Sequence, residues 1–571
     1  MENQNMSNVG VIDSKRKEPS AFTKFLNKYF HHVDKGSTTG REISVGILVG
    51  IISVCGIFLN MQMFEQIFAT GTAAENGEMV ASYYFIALLI SFVGTLLIGL
   101  IARLPLVQTQ SLGLGTILIS LLGTSTLDAS GKPALTYWNL LAISFVSSLL
   151  FAIIVSVPAI KKFLAKGVNE TIKKGMRAAL GILLALVALQ LSGLVVFNSS
   201  YLPIFGIGQT AKFAQGTVLS ASFVSFPLFN YSNDPSHPTL LIVAIIGVLL
   251  VASIFIMKRM KVKHPYWIGF GVATILFIVL FLLIKCINWQ QNEIDPNSLW
   301  GRIWMIASED SELTHLANVF SSKGMGIGRV FTEGFNFSSF TNAGGNVFLL
   351  FLVGILSMLF NSLAFNDSIA RATIGNESKK DMKKADLISM GINVASPVFS
   401  SSPTSYGVES LLAKEEGAVS GLSSVAASLV MFLSMFVWII PAIFATYTSP
   451  NAQMNLYGHY GETLYILTEC SFSFADIIMA LVGFALFFKN LDIDYKKSEE
   501  VIPFGVTIIL SFLTGNLALG AGIGILSYVF LFAFRKPEGG KKRIEMMKEI
   551  NASSYLLGIL GASVFILQLC L

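Results

Sequence analysis

The residue of this sequence best suited to chemistry is an acid that ends a short polar stretch between two apolar runs. Glu409 closes the segment Ser400-Ser-Ser-Pro-Thr-Ser-Tyr-Gly-Val-Glu409 and precedes Leu411 and Leu412. At membrane depth an ionisable side chain is costly to hold, and there it can accept a hydrogen bond from a solute N–H or carry a proton. Read by itself it has a second role open to it, as a first-turn acid near Lys414 stabilised by a helix dipole. Ser402, Thr404 and Ser405, just before it, offer hydroxyls and backbone amides to a planar polar solute. Asn361 and Ser362 stand in the apolar run from Val347 to Phe365. An asparagine there donates and accepts at once, which suits the amide edge of a heterocycle or the gluing of one helix to another. Asp367 follows at the cytoplasmic end of that run, and Asn60, Gln62, Gln108 and Gln110 are weaker polar intrusions.

No other chemistry is spelled out. The six histidines fall in tails or loops with no HExxH spacing, and the four cysteines show no CxxC pair. Gly113-Leu-Gly115 lacks the third glycine of a dinucleotide fingerprint, and no Walker motif or nucleophile elbow is present. The sequence therefore calls for no cofactor or metal and does not read as an enzyme.

Composition says what must position these residues. Of 571 residues 53% are hydrophobic and only 13% charged, about half the share of a soluble domain, and the mean hydropathy is +0.67. A chain of this length holds on the order of a dozen spans of about 20 residues. Apolar runs begin near Ile43, Tyr83, Leu135, Gly175, Leu240 and Trp267, and again near Val347, Leu387, Val419, Phe474, Ile502 and Ser554. The run from Ile502 to Phe534 is too long for one upright helix and is cut by Gly515 and Asn516. Basic clusters at Lys161 to Arg177, Lys258 to Lys263, Lys379 to Lys384 and Lys541 to Arg543 sit between runs, which places them and the N-terminus in the cytoplasm. The small net charge of +5, spread over such clusters, suits a lipid bilayer as partner and gives no reason to expect nucleic acid. The expected division is a cytoplasmic tail over 1–40, a first membrane repeat over 41–286, an external acidic loop over 287–345 and a second repeat over 346–571. Whether the chain pairs as a homodimer is left open.

A cytoplasmic N-terminus, cytoplasmic basic clusters and an external acidic loop agree with this number of runs only if each half holds one further, poorly hydrophobic segment. Pro105 to Thr116 and Ser400 to Glu409 fill the two places: Pro105 lies 62 residues after Ile43, and Pro403 lies 56 after Val347. Unwound backbone at membrane depth survives only where protein covers it or a cavity faces it. Two such breaks at matching positions mark an inverted-repeat transporter that binds its solute near the midplane.

The order of motifs resembles the xanthine/uracil permease superfamily of nucleobase–cation symporters, as a divergent member of its AzgA-like adenine/guanine/hypoxanthine branch. The matching stretches are Ser37 to Asn60, Leu104-Pro105 with Ser111 to Thr116, Phe360 to Phe365, Ser402 to Ser410 followed by Ser420-Gly-Leu422, and Asn490 to Asp494 with Ile502-Pro-Phe504. The resemblance implies an all-α membrane protein of about 14 segments in two inverted repeats of seven, divided into core and gate, with short strands in segments 3 and 10. It implies a nucleobase carried with protons, Glu409 bonding the base, and backbone contacts from Leu112, Gly113, Leu114, Gly115 and Thr116. Asn361 stands where the family has an aspartate, so either proton coupling rests on Glu409 alone or Asp367 substitutes. Two other readings stand beside this one: an anion transporter of the sulfate-permease type on the same architecture, and a membrane enzyme or non-transporting sensor.

Overall fold

The computed structural model describes residues 21–68, 73–110, 136–192, 196–197, 224–225, 238–287, 326–336, 346–360, 366–374, 379–436, 474–514, 517–534, 547 and 550–570. An amphipathic helix α1 (Ala21–Phe30) precedes the apolar helices α2 (Thr39–Phe68) and α3 (Ala73–Leu97), the latter running on into a π-turn over Ile98–Ala102. Strand β1 (Gln108–Gln110) follows, then helix α4 (Tyr137–Ser156), whose start is fixed by a capping box between Thr136 and Asn139. Next come α5 (Pro158–Gly167), α6 (Glu170–Leu191), the two-residue strands β2 (Val196–Phe197) and β3 (Val224–Ser225), α7 (Pro238–Arg259) and α8 (Pro265–Ile287). The prolines that open α5, α7 and α8 occupy a position whose N–H would have no helical partner in any case.

The second half holds α9 (Asn346–Phe360), α10 (Asp367–Ile374), α11 (Lys379–Val398), strand β4 (Thr404–Tyr406), the short α12 (Glu409–Glu415), α13 (Gly421–Ser434) and α14 over 474–489. The long apolar run near the end divides as its Gly-Asn break suggests, into α15 (Ser498–Thr514) and α16 (Leu517–Phe534), and α17 (Ala552–Cys570) ends the described chain.

Thr39–Ile57, Ser82–Ala102 and Tyr137–Ile154 are long and apolar enough to cross a bilayer by length and composition, and four shorter apolar helices accompany them among the described residues. Val248 and Leu249 on α7 and Ile275 on α8 are 55%, 55% and 64% exposed. Such a row of outward aliphatic side chains is at home against lipid and costly against water.

The halves of the chain interleave. Helices α2 and α3 pack on α13, α4 packs on α9 and α11, and α6 packs on α15, which in turn packs on α16. Small residues let the backbones approach where α2 crosses α13: a Cβ placed on Gly50 would lie 2.7 Å from the Val430 Cβ. Close crossing of this kind replaces the hydrophobic drive that lipid does not supply.

Candidate functional site

Two helices end in the same manner, and their ends bring the polar stretches together. After the π-turn, Arg103 takes the left-handed conformation (φ 57°), and after α11 Ser400 does the same (φ 62°). Each turn stops its helix, and a few residues later the chain is extended. The extended pieces pair antiparallel, with Gln108 opposite Tyr406, Thr109 opposite Ser405 and Gln110 opposite Thr404. The Gly407 N–H adds a bond to the Val107 carbonyl at 2.9 Å. Strand backbone carries many N–H and C=O groups, and this ladder satisfies them inside the protein.

Side chains brace the ladder. Gln108 Nε2 donates to Thr404 Oγ1 at 2.7 Å and to Ser389 Oγ at 3.1 Å, and Gln110 Nε2 donates to Ser401 Oγ at 3.0 Å. Asn393 Oδ1 accepts from the Thr404 N–H and Asn366 Oδ1 from the Tyr406 N–H, at 2.7 and 3.1 Å. The Thr95 hydroxyl serves both backbone groups of Gln108, and the Tyr83 hydroxyl reaches Gln110 and Ser402. The glutamines read as polar intrusions are thus structural clamps.

A small cavity opens on the end of this ladder, lined by Gly56 of α2, Thr109, Gln110, Ser405 to Glu409, Leu180 and Leu184 of α6, and Met479 of α14. Its free space of about 20 Å³ is that of a water molecule or two, well short of a ring. Glu409 is 3% exposed, and its Oε2 has no hydrogen-bond partner among the described residues. Two glycines leave room for the carboxylate: a Cβ on Gly56 would stand 2.9 Å from Oε1, and one on Gly407 would collide with Oε2. A buried acceptor kept free at the wall of a cavity can take a hydrogen bond from a donor that enters it.

The structure thus brings Glu409 and Ser405 to one cavity. It turns Thr404 away, into bonds with Gln108 and Asn393, so the Thr404 hydroxyl holds the strand and does not line the space. Leu112, Gly113, Leu114, Gly115, Thr116, Asn361 and Ser362 lie outside the described residues. Asp367 is the first residue of α10, and its side chain also lies outside the described set. Sequence reasoning passed over Gly56 and Thr109. Thr109 sits inside the interrupted segment and could have been found there, whereas a glycine in an apolar helix carries no such mark. No group of three His, Cys, Asp or Glu side chains among the described residues is placed to hold a metal ion.

A second glutamate lies at the other end of α12. Glu416 accepts from the Tyr266 N–H at 3.1 Å and pairs with His264 Nδ1 at 2.8 Å, while neighbouring Glu415 bonds Lys258 at 2.8 Å. Burial pushes the Glu416 carboxyl above the usual glutamate range, and the Tyr266 amide and His264 oppose that rise. These contacts tie the turn between α7 and α8 to the end of α12.

No family model matches the chain. It is 25% identical over 255 residues to a putative permease of Methanocaldococcus jannaschii, a match that covers 40% of this chain and 55% of that protein, little more than half the relative's length. It is 20% identical over 511 residues to the guanine/hypoxanthine permease PbuO of Bacillus subtilis, covering 89% of this chain and 94% of that one. Among solved structures, the transmembrane domain of the cyanobacterial bicarbonate transporter BicA matches with a TM-score of 0.45 at 13% identity, over 83% of this chain and 96% of that one. The murine anion transporter Slc26a9 in its inward-facing state matches at 0.40 and 12%, over 94% and 78%. The relatives named as permeases support a multi-pass membrane transporter.

Proposed function

We propose that this chain is a secondary active transporter that imports a nucleobase, a purine such as guanine, hypoxanthine or adenine, together with protons across the cell membrane. In this reading about 14 segments form two inverted repeats over 41–286 and 346–571, with the N-terminus in the cytoplasm. The observation that carries it is the unpartnered Oε2 of Glu409 at the cavity where the two strands meet. A purine presents ring N–H donors along one edge, and a buried carboxylate discriminates strongly for a solute that can donate to it. Ser405 and Thr109 line the same cavity and add hydroxyls, and the family resemblance would add backbone contacts from Leu112 to Thr116.

The cavity walls come from two sources. The strands, α12 and α2 form one, while Leu180, Leu184 and Met479 of α6 and α14 form the other. Admission of a ring then requires the second wall to withdraw from the first, which is the core-against-gate motion expected of an inverted-repeat transporter. Similarity to the guanine/hypoxanthine permease over most of both chains supports the choice of solute. Glu409 also weighs against an anion, which a facing carboxylate repels.

The test is uptake of radiolabelled guanine, hypoxanthine and adenine in cells that express the chain, with a competition panel of purines, pyrimidines and anions. Accumulation that collapses with a protonophore and falls in Glu409→Gln is the expected result. Sulfate or bicarbonate flux without base uptake overturns it in favour of an anion transporter of the same repeat architecture.

A further inference from the structure

Glu409 is not the only buried acid left unpaired among the described residues. Asp476 on α14 is 7% exposed, and neither a hydrogen bond nor an ion pair to it is found among the described residues. Its sequence neighbours Phe474, Ala475, Ile477, Ile478 and Met479 are fully buried, and the Phe474 ring packs edge-on against Phe277 of α8 at 5.8 Å. The other buried carboxylates described are spoken for. Glu42 accepts from the Val419 N–H and the Ser420 hydroxyl at 2.8 and 3.0 Å, and Glu416 is held by Tyr266 and His264.

Position ties Asp476 to the site. It lies three residues before Met479, and residues three apart share a helix face. Met479 lines the cavity together with Glu409. Cys55 of α2, next to the cavity residue Gly56, lies within electrostatic reach of both Asp476 and Glu409. The titratable groups on that side of Asp476 are therefore Cys55 and, beyond it, Glu409 from α12 and Tyr84 from α3, while α8 presents Phe277.

We propose that Asp476 is a second proton-binding residue of the transport cycle, one whose carboxylate takes up the coupling proton on the side from which the solute enters and releases it on the other. The proton adds to a carboxylate oxygen to give the neutral acid and leaves by the reverse step, so no other reactant is needed. A bare carboxylate in apolar surroundings is relieved by protonation. A metal cation would need several oxygen ligands, and no group of three His, Cys, Asp or Glu side chains among the described residues is placed to hold one. The division of labour is then between Glu409, which grips the solute from the strand side, and Asp476, which answers the pH gradient from α14.

This inference rests on the base-importer reading, and the test separates the two. Purified full-length protein is placed in liposomes with an internal pH-sensitive dye. Hypoxanthine accumulation under a pH gradient, hypoxanthine-induced proton influx and hypoxanthine counterflow at equal pH are measured for wild type, Asp476→Asn, Asp476→Glu and Glu409→Gln. The expected result is that D476N loses gradient-driven accumulation by at least about tenfold, together with proton influx. Counterflow, which needs no net proton movement, survives in D476N and is lost in E409Q, and D476E restores coupling. Proton influx in D476N equal to wild type, or accumulation driven by a sodium gradient and insensitive to pH, overturns the proposal. Infrared difference spectra between acid and alkaline pH give a readout that needs no solute: D476N lacks one carboxylic C=O band that wild type shows. Wild type that carries no hypoxanthine but shows that band refutes the base reading and leaves Asp476 standing as a proton site. An unchanged band in D476N refutes Asp476.

Discussion

Glu409 and Glu416 stand seven residues apart, at the two ends of α12, and their carboxylates have opposite circumstances. Glu416 accepts from a backbone N–H and pairs with a histidine, and it binds the turn between α7 and α8 to the end of α12. Glu409 has glycines on two sides and an oxygen with no partner. A carboxylate that holds a fold together has its lone pairs filled by the protein, and one that serves a solute keeps a lone pair vacant at a real cost in stability. Glu42, filled by Val419 and Ser420 where α2 meets the start of α13, belongs with Glu416.

The sharpest way to break this contrast is to make the same substitution at both ends of α12. Glu409→Gln should lower the affinity for base by about 10- to 100-fold, the worth of a hydrogen bond to a charged acceptor, while the protein melts at or above the wild-type temperature. Glu416→Gln should leave base affinity alone and lower the melting temperature. Equal loss of uptake in both would erase the distinction. Glu416→Ala goes further, stranding the Tyr266 N–H and His264, and is expected to cost about 1–3 kcal/mol in a thermal or denaturant melt. Gly56→Ala tests the room kept around the acid: its methyl would meet Glu409 Oε1 at 2.9 Å and Met479 Cε at 3.3 Å, so uptake should weaken by up to about tenfold, less than in E409Q. The smallest effect belongs to the clamp. Gln108→Ala removes two hydrogen bonds of a residue that does not line the cavity and should cost about 1 kcal/mol of stability with base selectivity preserved.

Much of this was legible in the sequence, for reasons that differ by residue. The two interrupted segments announce themselves because proline, glycine and hydroxyl residues cannot extend an apolar helix, and Glu409 stands out because an acid is rare in such a place. That the two interruptions are short strands is what the family resemblance implies, but the register in which they pair was not readable. A strand of three residues has no periodicity to detect, and its register is set by Asn366, Asn393 and Ser389, which come from elsewhere in the chain. For the same reason Gln108 and Thr404 looked like a stray polar residue and a solute contact, when the Gln108 amide and the Thr404 hydroxyl bond each other, while Gln110 both bonds Ser401 and lines the cavity. Glu416 finds His264 at 152 residues' separation, a contact no local pattern encodes. Asp476 was available to sequence reasoning as a lone acid within the run from Phe474 to Phe488, and only its lack of a partner in three dimensions gives it weight.

The ladder between Gln108–Gln110 and Thr404–Tyr406 joins the opening half of the polypeptide to the closing half through a seam of backbone hydrogen bonds. Whatever slides during a working cycle must slide past that seam and not through it, because parting it would strand amide groups with no water to receive them. In the proposed transport cycle the two strands then keep their pairing, and the relative movement falls to the wall of α6 and α14 that faces them.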